Sequence, residues 1–86
     1  MTAPRTPVLI AQDVLIAEAE LAGQMAKAAV YLEKSVVLFE AGEDDLAEFA
    51  NEGAADATRD AETVARMIAA LNEEWSAVVA QIAEAN

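Results

Sequence analysis

Five carboxylates stand at intervals of four residues, Asp44, Glu48, Glu52, Asp56 and Asp60, with Asp45 and Glu62 beside them. A row of this kind could exchange protons as acid and base, hold a hard cation through oxygen, or offer a nucleic acid's charge density to a basic protein. Proton chemistry needs two carboxyls set apart from the rest by their surroundings, and these acids are too many and too alike to single out a pair. Cation binding fares no better, because the stretch AGEDDLAEFANE lacks the alternating ligands and central glycine of a calcium loop. From Asp44 to Glu62 the acids outnumber Arg59 by six charges. On a helix rising ~1.5 Å per residue that is one charge per ~4.7 Å, against ~3.4 Å between phosphates along one strand. Most charge runs are solvated surface. Yet like charges four apart cost roughly 0.2–0.5 kcal/mol per pair, a penalty that interspersed lysines would avoid.

The rest of the inventory removes whole classes of chemistry. The chain has no histidine and no cysteine, so zinc, haem and di-iron sites lack their usual ligands, and no disulfide or thiol step can form. Ser35 and Ser76 are the only serines. Neither sits in a Gly-x-Ser-x-Gly turn, and no imidazole is present to activate them. Lys27, Tyr31 and Lys34 are neighbours on a helix, without a walled cleft to shift their pKa values. No glycine-rich phosphate loop and no basic patch with aromatics is present. The expectation is a non-enzymatic protein with no cofactor, no metal and no small-molecule substrate.

Charge and hydropathy narrow the partners. A net charge of −11 and a pI near 4.1 argue against direct binding to DNA, RNA or anionic lipid and favour a basic partner. The longest run free of charge is nine residues, Trp75 to Ala83, well short of the ~18 a membrane span requires. The N-terminal stretch lacks a convincing secretory h-region or cleavage site, which gives an expectation of a soluble, cytoplasmic protein. With 56% hydrophobic residues the chain is too apolar for disorder. At 86 residues it forms one domain whose margin of stability is thin.

The elements that must carry these residues are helices. Thr6-Pro7 reads as an N-cap followed by proline at the first helical position, leaving residues 1–6 as a tail. A helix over 7–41, a turn at 42–43 with Gly42 in the left-handed conformation, and a helix over 44–85 follow from the caps and the acids at the second N-terminus. In the second helix Ala57, Ala61, Val64, Ile68, Leu71, Trp75, Val78 and Ile82 alternate steps of four and three, a coiled-coil seam. Ala54 extends it among small residues. The first helix offers Ile10, Val14, Ala17, Leu21, Met25, Ala28, Leu32, Val36 and Phe39 as its inner face, with Tyr31, Phe39 and Trp75 read as core aromatics and Met25 and Met67 as gap-fillers.

The fold expected is an all-α antiparallel hairpin of two long helices. Apolar residues beyond those the seam needs, Leu9, Leu15, Ile16, Val30 and Val37, would remain in water. Pairing of two hairpins into a four-helix bundle covers them. A monomer broken at Gly23 and Gly53 into a compact bundle is the competing solution. Two functions follow: a helical module that binds itself or a protein partner through those five residues, or an acidic mimic of nucleic acid that inhibits a basic nucleic-acid-binding protein through Asp44, Asp45, Glu48, Glu52, Asp56, Asp60 and Glu62, as a phage anti-defence protein or an antitoxin does.

Overall fold

A computed structural model describes residues 5–85, and Met1 to Pro4 of the expected tail lie outside the described residues. The chain forms two helices, α1 (Pro7–Glu40) and α2 (Asp44–Ala85), packed against each other as an antiparallel hairpin. It is a rod of 66 × 19 × 14 Å with a radius of gyration of 19.2 Å, where a compact domain of this length would have about 12 Å.

Local chemistry sets the ends. Thr6 has extended backbone and its Oγ1 accepts from the Leu9 N–H at 3.4 Å, with Pro7 opening the helix. At the other end the Gly42 N–H donates to the Phe39 carbonyl and the Glu43 N–H to the Leu38 carbonyl, at 3.0 and 2.9 Å. This double closure requires a left-handed residue between them, and Gly42 supplies it with φ 82. The Glu43 carbonyl then accepts from the Ala47 N–H at 2.9 Å, while Asp44 and Asp45 sit where the N-terminal partial charge favours them.

The α2 seam lies against α1 as its spacing predicts, and it begins earlier. Ala47, Ala50, Ala54, Ala57 and Val64 are buried, Ile68, Leu71 and Val78 half-buried. Toward the open end the seam loosens: Trp75 and Ile82 keep 41% and 47% of their surface exposed, so Trp75 lies in the seam but is not an enclosed core aromatic.

The inner face of α1 departs from expectation after Leu21. Gln24, Ala28, Tyr31, Ser35 and Leu38 turn toward α2, whereas Met25, Leu32, Val36 and Phe39 face outward, Phe39 with 68% of its surface exposed. The expected set advances at 3.6 residues per turn; the observed one alternates four and three from Ile10 to Leu38, an average of 3.5. Two helices that wrap around one seam must share its period, and α2 holds to 3.5 from Ala47 to Ile82. Phe39 is therefore not a core aromatic, and Met25 and Met67 are not gap-fillers but exposed side chains.

Neither glycine breaks a helix. Gly53 is a packing site: a Cβ there would lie 3.1 Å from Cδ1 and Cε1 of Tyr31, so the missing side chain lets the ring rest on the α2 backbone. Gly23 has open space around its absent Cβ, and α1 runs through it. The compact broken-helix solution is excluded.

Arg5, expected in a loose tail, is tied to both helices. Its Nε donates to Glu74 Oε1 at 2.9 Å and its Nη2 to Glu74 Oε2 at 2.7 Å, a bidentate pair, and its Nη1 bonds Asp13. Hydrogen bonding to Arg5 holds the Glu74 carboxyl below its ordinary range and raises Arg5 above its own. A carboxyl with a depressed folded pKa contributes stability above its unfolded pKa and loses it as pH falls toward the folded value. Arg5→Gln should therefore melt earlier than the wild type at pH 7. The difference should shrink as pH drops through the usual carboxylate range, in paired thermal melts. A gap independent of pH would show that the Arg5–Glu74 pair is not its source.

Candidate interaction surface

The hairpin has two broad faces, and their chemistry differs. On one, the interhelical groove is lined at the open end by Ala11, Val14, Leu15, Asn72 and Trp75, with a volume of about 400 Å³. Near the turn it widens to about 680 Å³ between Leu32, Val36 and Phe39 of α1 and Asp44, Glu48 and Asn51 of α2. On the other face, Lys27 lies beside Glu52 and Asp56 in a groove floored by Tyr31 and Gly53, and Asp13 and Glu20 lie beside Met67. One face is thus apolar on its α1 side, while the other mixes charge with the exposed apolar side chains of Ile16 and Phe49.

The apolar face is a second seam. Shifting each inner position of α1 by one residue rotates it about 100° around the axis and gives Ala11, Leu15, Glu18, Ala22, Met25, Ala29, Leu32, Val36 and Phe39, with Val8 one step before. These residues repeat the alternation of three and four with a single charge, Glu18. Except for Glu33 and Glu40, the remaining charged residues of α1, Asp13, Glu20, Lys27 and Lys34, form one seven-residue column on the opposite flank.

The five expected interface residues are all exposed, but they do not form one stripe. Leu15 belongs to the second seam. Leu9, Ile16, Val30 and Val37 form a separate seven-residue column closer to the charged flank, where Ile16 lines the groove with Asp13 and Glu20. Sequence reasoning missed Met25, Leu32, Val36 and Phe39 as outer residues, because it placed all four in the core, and it did not join Val8 to them. The strict 3.5 period of α2 was the available signal. On α2, Leu46 and Phe49 add exposed apolar surface next to the acids.

All seven acids of the ridge are exposed, and Asp56 is paired with Arg59. Successive members step about 40° around the axis, so Asp44 and Asp60 lie about 160° apart. Asp44 and Glu48 line the apolar groove, while Glu52 and Asp56 line the opposite one. The ridge is a spiral rather than a flat face. Among the described residues no group of acids is placed to hold a metal ion, and no helix is long and apolar enough to cross a membrane.

Compared with protein-family models, curated proteins and solved structures, the chain matches no family model, no curated protein and no solved structure.

Proposed function

We propose that this protein is a non-enzymatic helical interaction module that works by binding protein through the outer face of α1. The observation that carries the reading is the second seam: nine of ten positions from Val8 to Phe39 are uncharged at coiled-coil spacing, on a helix whose first seam is already occupied by α2. A solvated helix has no need of such a pattern, and apolar patches of this extent mark protein interfaces. The acidic-mimic reading retains one favouring observation, the exposure of all seven acids. Their distribution over both faces supports the apolar seam instead, since a groove that binds nucleic acid would meet only part of the spiral.

Light scattering over a concentration series, with and without candidate protein partners, compares the two surfaces. Leu15→Glu should abolish association while retaining helicity, and Glu52→Lys should leave it intact or strengthen it. Association lost with Glu52→Lys, released by salt and indifferent to Leu15→Glu would replace the module reading with the mimic.

A further inference from the structure

We infer that the apolar groove face is closed by a second copy of this chain, packed antiparallel, α1 against α1, about a two-fold axis passing between Gly23 and Gln24. The inference rests on the interaction-module reading and names its occupant. Three observations carry it.

The first is register. In an antiparallel seam each three-step position meets a four-step position of its partner. Val8 then stands opposite Phe39, Leu15 opposite Leu32, and Ala22 opposite Met25, while Glu18, the one charged member, meets Ala29 rather than another acid. This register uses every rung from Val8 to Phe39. Its axis coincides with the midpoint of α1, which runs from Pro7 to Glu40. The two seams of α1 lie about 100° apart, as required of a helix at the corner of a four-helix bundle.

The second is area. A folded monomer of 9.0 kDa is expected to expose about 4,900 Å², and this chain exposes 6291 Å². The excess is larger than the roughly 800 Å² per partner that a standard stable interface buries.

The third is charge. The six net negative charges between Asp44 and Glu62 occupy the turn half of α2. Pairing α1 with α2 of the second copy about an axis along the rod would stack both acidic ends. The α1-on-α1 arrangement sets the two turns, and with them Asp44 and Asp45 of each copy, about 50 Å apart, one α1 length at ~1.5 Å per residue, many times the ~8 Å screening length. Only Asp60 and Glu62, level with the axis because Tyr31 stands opposite Gly53, remain near their counterparts. It also lays the acidic half of one α2 over the other's Ala65, Ala69, Asn72, Ser76 and Val79, which carry no charge.

Sedimentation equilibrium of the full chain and oxidative cross-linking of single-cysteine variants test the arrangement, and the native chain has no cysteine to interfere. The expected species is a dimer. Leu15→Glu or Leu32→Glu should weaken it at least 100-fold, whereas Ile16→Glu, one residue outside the seam, should change its dissociation constant less than 5-fold. Ala22→Cys should cross-link to itself near the axis. Val8→Cys should not, but should cross-link to Phe39→Cys when the two proteins are mixed. A wild type that stays monomeric at every concentration overturns self-pairing, and the module reading then depends on capture of a different protein. A dimer broken by Ile16→Glu and not by Leu15→Glu, or a Val8→Cys chain that cross-links to itself, overturns this arrangement while leaving the module reading in place.

Discussion

Val64→Asp is expected to abolish cooperative unfolding of the hairpin at neutral pH. Val64 keeps only 4% of its surface in water, and apart from Ile10, at 0%, the other buried hydrophobic residues are alanines. The core is therefore carried by very few bulky side chains. Losing a buried valine forfeits about 1.5–3 kcal/mol of transfer free energy. Enclosing an unpaired carboxylate costs several kcal/mol more, in a chain already at −11 whose neighbouring cations are both exposed, Arg59 paired with Asp56 and Arg66 turned to Thr63. Together these approach the lower end of the ~5–15 kcal/mol that holds ordinary domains folded. Far-UV circular dichroism against temperature measures the result, with Val64→Ala as a milder control losing about 2 kcal/mol. Helicity of the Val64→Asp chain should partly return as pH falls, because protonation removes the buried charge. A sharp transition within a few degrees of the wild type at pH 7 would mean that Val64 is not enclosed as described.

How much of this molecule its sequence discloses depends on where a local rule decides alone. Thr6-Pro7, Gly42 and Asp44-Asp45 fix the helix ends through caps that involve only nearby backbone, and those ends are where the spacing predicts them. The α2 seam is legible because one residue type dominates each position. Ala47 to Ala61 are small and Val64 to Leu71 bulky, with polar neighbours on the outer side. In α1 the rule fails because two adjacent stripes are apolar. Choosing the more hydrophobic residue at each turn selects Met25, Leu32, Val36 and Phe39 over Gln24, Tyr31, Ser35 and Leu38, and so drifts from one stripe to the other. What decides is the partner. A strip of alanines with Gly53 at its centre lets the backbones approach closely, accepts Tyr31 flat against Gly53, and takes Ser35 into a buried position. The cost is visible at Gln24, whose Oε1 is buried without a hydrogen-bond partner. Apolar side chains denied that space line the outside, so the error in the core and the candidate interaction surface have one origin. The acidic ridge was legible as a row that precesses around the helix, since its four-residue interval exceeds the helical repeat by about 40° at each step; which groove each acid lines depends on where α1 sits and was not.

The close approach of the backbones leads to the second large effect, in which adding hydrophobicity should destabilise. Ala57 retains 1% of its surface, and the neighbouring Ala54 is nearly as enclosed. Ala57→Leu adds three carbons with excellent helix propensity, and on an exposed site it would be harmless. Here the added atoms have no room unless α1 moves outward. Such movement would lift Tyr31 from Gly53 and open the alanine strip on either side. Overpacking of this kind costs typically 1–3 kcal/mol, and at about 4–8 °C per kcal/mol for a domain of this size the midpoint should fall by roughly 5–20 °C. Ala55→Leu is the matched comparison. It stands two residues earlier on α2, outside the inner seam and exposed, on the side that carries the apolar groove. It should leave intrinsic stability within about 0.5 kcal/mol of the wild type, while any shift it causes should grow with protein concentration, as for a residue facing a second chain. Melts of both variants at two concentrations tenfold apart separate the effects. If Ala57→Leu raises the midpoint at both concentrations, the helices are farther apart than the alanine strip implies, and the packing of Tyr31 on Gly53 does not set their separation.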